Sequence, residues 1–206
     1  STVGMIAARI FPISYSITVH GPDEFYDVTL YRLREKIQAA SFICCIGTYS
    51  RSQLMKLSPP SQWDKFEVSP LGVNPDLFAP QAFREVPQLF EIICVGRLVA
   101  AKGQYTLVSV CETLLRQGHQ VRLRLVGDGP DRAGLEAMVQ ARGLENTIVF
   151  EGAVNQDRIR ELYANADLFA LGSFAEGIPV VLMEAMAMEI PCVTTHITGH
   201  HELIRD

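Results

Sequence analysis

From residue 90 to residue 195 the chain alternates short apolar runs with helical stripes, and few architectures accept that order. Phe90 to Val95 reads as a buried strand. Leu107, Val110, Cys111, Leu114 and Leu115 follow at the i, i+3, i+4, i+7, i+8 spacing of one helix face. A strand over 121–126, a helix carrying Leu135, Met138 and Val139, and a strand over 147–150 continue the series. Then come a helix presenting Ile159, Leu162, Tyr163 and Ala166, a strand over 168–171, a helix starting near Pro179 and a last strand over 191–195. Strands alternating with helices of about ten or more residues predict an α/β protein whose parallel sheet is covered on both faces. Such sheets bind ligands at the carboxyl ends of their strands, so the loops leaving each strand are where function belongs.

Before residue 90 the alternation is weaker. Residues 15–19 and 42–46 are short β-rich apolar runs separated by Leu30, Leu33 and Ile37 near helical spacing, which is again β-α-β order. Six of the eleven prolines (Pro59, Pro60, Pro70, Pro75, Pro80 and Pro87) fall where periodicity fades, and they mark a linker. The predicted organisation is a first domain over 1–75, a linker over 76–89 and a second domain over 90–206. At 206 residues the chain exceeds a usual single domain of about 100–150 residues and falls short of two. Met5-Ile6-Ala7-Ala8 reads as the middle of an apolar helix just after Ser1, and the run from His201 to Asp206 as part of another. The sequence is therefore expected to be an internal fragment lacking both ends.

Composition narrows the class. Nearly half of the residues are apolar and a fifth are charged, the balance of a globular core. Net charge is −5 and no Lys/Arg run of five occurs, so nucleic acid is not expected as a partner. The five cysteines, Cys44, Cys45, Cys94, Cys111 and Cys192, are odd in number and show no C-x-x-C spacing, which suits cytosolic core thiols. No apolar stretch approaches the ~20 residues that cross a bilayer.

The richest loop is Ser173-Phe174-Ala175-Glu176-Gly177-Ile178-Pro179, between a strand and a helix. Pro179 suits a first helical position, and Gly177 lets backbone approach a ligand. The amides of the first turn make an anion site. Glu176 and Glu184 both border this mouth and could accept hydrogen bonds from sugar hydroxyls. Alternatively, Glu176 complements the helix dipole and Glu184 is a solvated helix residue. A second loop, Val95-Gly96-Arg97-Leu98 with Lys102-Gly103, brings two cations to a strand end. An Arg fork and a Lys point charge together suit a diphosphate, although single surface cations are commoner.

These runs, with Leu125-Val126-Gly127-Asp128-Gly129-Pro130, Phe150-Glu151-Gly152 and Glu184-Ala185-Met186-Ala187, appear in the order and spacing of a known family. The sequence resembles the retaining group-1 (family 4) glycosyltransferases of the GT-B fold, over nearly all of positions 90–206 and less specifically over 13–80. The resemblance implies two Rossmann-like domains facing a cleft, the first of them incomplete here. It implies transfer of a sugar from a nucleoside-diphosphate sugar, UDP- or GDP-linked, to a glycan or lipid-linked acceptor, with retention, no metal and no further cofactor. Arg97 and Lys102 would hold the diphosphate and stabilise its charge as it leaves; Glu184 would bind the ribose. Glu176 would face the transferred sugar, with the Gly177, Ile178, Pro179 and Val180 backbone close by, and Val154, after Gly152-Ala153, would lie at the base-binding edge. His20, in Thr18-Val19-His20-Gly21, resembles the strand-end histidine that reaches the sugar or acceptor, although a histidine capping a strand fits the residues nearly as well. Pro70-Leu71-Gly72-Val73-Asn74 is similar to the family's domain-crossing turn. The resemblance also implies polysaccharide or lipid-linked glycan assembly in the cytoplasm, at the inner face of a membrane, with peripheral membrane association.

The family usually places glycine where Glu189 stands, and often at Thr198, so the helix before Glu189 is expected to strain or to end differently. A dinucleotide oxidoreductase is excluded because position 132 is Arg in what would be G-x-G-x-x-G, and a P-loop because no Gly-Lys-Ser/Thr follows a glycine-rich loop. The remaining alternative is a non-catalytic sugar-nucleotide-binding or scaffolding module of the same fold.

Overall fold

A computed structural model describes residues 1–80 and 87–204; positions 81–86 of the expected linker and the last two residues of the expected second domain lie outside the described residues. The described chain forms two compact units. One holds residues 1–71, 175–179 and the described part of 198–206; the other holds the described part of 72–174 and residues 180–197.

The first unit is built on a three-stranded parallel sheet of β1 (Ser16–Val19), β2 (Phe42–Cys45) and β3 (Phe66–Val68), in that order. Helix α1 (Thr2–Ile10) is capped by Ser1, whose Oγ accepts from the Gly4 amide, and it buries Met5. Short α2 (Asp23–Tyr26) and α3 (Leu33–Ala39) connect β1 to β2; α4 (Thr48–Lys56) and a 3₁₀ turn over Pro60–Lys65 lead to β3. Met5, Val19, Leu33, Ile37, Ile43, Leu54 and Phe66 form its core. Leu30 is exposed and precedes the helix, because the Asp27 carboxylate accepts from the Leu30 amide and closes a turn that competes with helix. Part of the proline-rich stretch is ordered: Pro60 starts the 3₁₀ turn, and β3 follows it.

In the second unit five parallel strands run β6-β5-β4-β7-β8, with β4 (Phe90–Val95) in the middle. Helix α5 (Gln104–Arg116) leads to β5 (Val121–Val126), α6 (Arg132–Ala141) to β6 (Ile148–Gly152), α7 (Gln156–Ala164) to β7 (Leu168–Leu171) and α8 (Val180–Ala187) to β8 (Cys192–Thr194). Ile93, Leu123, Leu125, Val108, Leu135, Tyr163, Phe169 and Leu182 are fully enclosed or nearly so. On α5 the enclosed positions are Gln104, Val108 and Cys111, whereas Val110 is exposed, so the apolar stripe is rotated from its expected line.

At the end of α8 the Ile190 amide donates to the Ala185 carbonyl (3.1 Å) and the Glu189 amide to Met186 (3.0 Å). This is a Schellman ending, and Glu189 takes the left-handed φ of 57° that glycine usually supplies. The helix starts at Val180, one residue after the expected Pro179. The helix expected over 201–206 is not formed by its described residues after His201: short α9 (Thr198–His201) ends there, and Glu202 and Leu203 leave it in a turn. All five cysteines are free thiols. Burial pushes the Cys45, Cys111 and Cys192 thiols up to about 11, which leaves little thiolate at neutral pH. Among the described residues no helix is long and apolar enough to cross a membrane.

Candidate functional site

Strand order locates the site in the second unit. The chain builds outward from β4 to β5 and β6, then crosses back to place β7 on the opposite side of β4. The crevice at the carboxyl ends of β4 and β7 is therefore a topological switch point, where doubly wound sheets take ligands. The two loops leaving these strands carry Arg97 to Gly103 and Gly172 to Phe174.

They are locked together through backbone. Gly103 has φ 68°, and a Cβ there would lie 2.0 Å from the Gly172 carbonyl oxygen, so only glycine fits. The Phe174 amide donates to the Ala101 carbonyl at 2.8 Å. Gln104, 1% exposed, donates its side-chain amide to the Arg97 carbonyl at 3.0 Å. On the other side the Leu98 amide donates to Asp128 (2.9 Å) and the Asp131 amide to Leu98 (3.1 Å), so the loop containing Gly127-Asp128-Gly129-Pro130 braces the one carrying Arg97. Arg97 is exposed and Lys102 half-buried, both just before the amino end of α5, whose unpaired amides and dipole add positive potential. The arrangement can hold a polyphosphate. Gln104 was missed in the sequence because a buried glutamine at a helix start carries no motif.

Glu184 lies on α8 and is 7% exposed, so the solvated-helix alternative does not hold. The Tyr163 hydroxyl lies 3.1 Å from Glu184 Oε2 and 3.2 Å from the Val181 carbonyl, and shares its one hydrogen between them. Tyr163 is itself enclosed, edge-on to Phe78 and tilted against Phe169. Burial raises the Glu184 carboxyl above its usual range, and the Tyr163 hydrogen bond opposes that shift. Burial, followed by the Glu184 charge, pushes the Tyr163 hydroxyl up. By sequence pattern alone Tyr163 is a core position on a helix face. Val154 is half-buried in the loop after β6, and Val180 is 40% exposed at the start of α8.

His20 and Glu176 to Pro179 belong to the first unit. His20 is exposed at the end of β1, before a cis Gly21-Pro22 bond. Glu176, Gly177 and Ile178 are half-buried and Pro179 is buried. A Cβ on Gly177 would lie 2.1 Å from the His20 carbonyl, so the acidic loop and the strand end touch through bare backbone.

A doubly wound sheet with a cationic, amide-rich switch point is the arrangement in which α/β proteins hold phosphate groups. Residues 78–206 match the family described as Glycosyl transferases group 1, and the chain belongs to that family. The chain is 29% identical to WcaL of Escherichia coli (strain K12), provisionally named a colanic acid biosynthesis glycosyltransferase, over 98% of this chain and 50% of that protein. It is 30% identical to the GDP-mannose-dependent alpha-(1-6)-phosphatidylinositol monomannoside mannosyltransferase of Mycolicibacterium smegmatis, over 99% of this chain and 58% of that protein. The chain thus spans about half the length of the curated relatives it matches. The structure superimposes on Anabaena HepE, crystallised with UDP and glucose, with a TM-score of 0.85 at 24% identity over 100% of this chain and 59% of that one. The shared fold is GT-B, as the sequence led one to expect.

Proposed function

We propose that the protein transfers a sugar from a UDP- or GDP-sugar to a glycan or lipid-linked acceptor, with retention and without a metal or further cofactor. The observation that carries this reading is the switch-point cradle. Arg97 and Lys102 sit beside the amino end of α5 on loops locked by Gly103 and Gln104. In this reading both cations grip the donor diphosphate. As the bond from the anomeric carbon to the phosphate oxygen lengthens, negative charge builds on that oxygen, and preformed donors stabilise it. The acceptor hydroxyl oxygen forms the new bond on the same face, and its proton passes to the departing phosphate.

Glu184 accepts from the ribose, its carboxylate steadied by Tyr163. Glu176 and the backbone of Gly177 to Val180 face the sugar, Val154 borders the base, and His20 reaches the sugar or acceptor. The names of the relatives support a carbohydrate or lipid acceptor: one is named for colanic acid biosynthesis and another for a phosphatidylinositol monomannoside. A lipid-linked acceptor would bring the protein to the inner face of a membrane from the cytoplasm.

Release of UDP or GDP from a panel of sugar nucleotides tests the reading. Arg97→Ala or Lys102→Ala should lower kcat at least ~100-fold, comparable with loss of an oxyanion donor. Near-normal turnover in both variants rejects the assigned roles, and donor binding with no release under any acceptor favours a binding module.

A further inference from the structure

Glu202 is a carboxylate that no motif singled out, and it makes two strong hydrogen bonds in the first unit. It accepts from the amides of Thr48 (2.8 Å) and Tyr49 (2.7 Å), the opening residues of α4. A carboxylate on unpaired helix amides combines charge-assisted hydrogen bonds with the favourable dipole end. The fit is close, because a Cβ on Gly47 would lie 2.6 Å from both carboxylate oxygens.

Three residues earlier in the chain, Gly199 is buried in α9, and a Cβ there would lie 1.8 Å from the Gly177 carbonyl and 2.7 Å from that of Glu176. Gly177 in turn rests on the His20 carbonyl, and its Cβ would meet Ile46 Cδ1 at 3.2 Å. The end of β1, the acidic loop and α9 are therefore stacked backbone on backbone. Beside these contacts, which are backbone on backbone apart from Ile46 against Gly177, a side chain also anchors the outer layer. Glu202 does so from one turn away, tying α9 to the start of α4.

We propose that Glu202 is a positioning residue: by capping α4 it clamps α9 onto Glu176 and Gly177, and so fixes the loop that faces the donor sugar. This rests on the donor reading above. The clamp is built wholly within the first unit, whereas Arg97 and Lys102, assigned to the diphosphate, belong to the second.

The test compares two kinds of probe, sugar nucleotide and bare nucleotide, on the same chain. Glu202→Ala should weaken UDP-glucose or GDP-mannose about tenfold or more, as expected for a displaced contact loop, and leave UDP or GDP within about twofold. Glu202→Gln should fall between, because its amide oxygen can accept one of the two amides. Equal weakening of nucleotide and sugar nucleotide, or no weakening, overturns the proposal. If the wild-type chain binds none of the four probes, the donor reading has failed, and amide hydrogen exchange then decides the clamp. Glu202→Ala should speed exchange at 176–178 and at Thr48 and Tyr49, with the amides of β4 and β5 unchanged. Unchanged exchange at 176–178 overturns it.

Discussion

The proposed phosphate cradle of the second unit is assembled from loops hung on hydrogen-bonded neighbouring strands, so β4 and β7 themselves bring Gly103 to Gly172. In the first unit the comparable contacts join His20 near the start of the chain to Gly177, and Gly177 to Gly199, and sheet pairing supplies none of that alignment. The second unit places its site by strand order, whereas the first relies on close glycine contacts and a carboxylate cap. A site of the first kind should fail when its backbone contact is blocked, and one of the second kind when its cap is removed.

The sharpest way to break the comparison is Gly103→Val. Its side chain would meet the Gly172 carbonyl in a left-handed conformation, and overpacking plus backbone strain should cost about 2–4 kcal/mol. Urea unfolding at constant m measures the loss. A loss under about 1 kcal/mol would mean that the loops slide and that strand order does not place the cradle.

Tyr163→Phe comes next. It removes the donor from a carboxylate 7% exposed, a loss of about 1–3 kcal/mol at neutral pH. The sign of the pH dependence follows from the raised Glu184 carboxyl. Between its ordinary value and the raised one, the folded chain holds a proton that the unfolded chain has released. Stability therefore falls as pH rises through that window and recovers below it. The melting temperature of Glu184→Gln should lack this decline, and a parallel decline in the variant would assign it to another group.

The smallest effects compare the units directly. Arg32 in the first and Glu189 in the second are the described non-glycine residues with left-handed φ, 50° and 57°. Arg32→Gly and Glu189→Gly should each stabilise by about 0.5–1 kcal/mol, read as a shift in urea midpoint. Destabilisation by Glu189→Gly would show that its side chain contributes more than the strain costs.

The second unit was far more legible in the sequence than the first. Strands β4, β5 and β7 fall at the expected residues because a buried parallel strand is an apolar run whatever its neighbours. Strand β3 escaped notice because three residues among prolines carry no period, and Leu30 misled because helical spacing is silent about the turn that Asp27 closes. Arg97, Lys102 and Glu176 stood out as charges in strand-end loops, and Glu184 as a charge on the helix that follows one. Gln104, Tyr163 and Glu202 did not, since each acts through a partner distant in sequence or through burial, neither of which spacing encodes.

The proposed chemistry depends on a diphosphate held between Arg97, Lys102 and the amino end of α5. Titration calorimetry of the chain with UDP and with GDP tests it most directly. One saturable site is expected for at least one nucleotide, weakened about tenfold or more by Arg97→Ala and by Lys102→Ala, since hydrogen bonds to charged groups contribute about 1.5–3 kcal/mol. Failure to bind either nucleotide, or variants that bind as tightly as the wild-type chain, would contradict it.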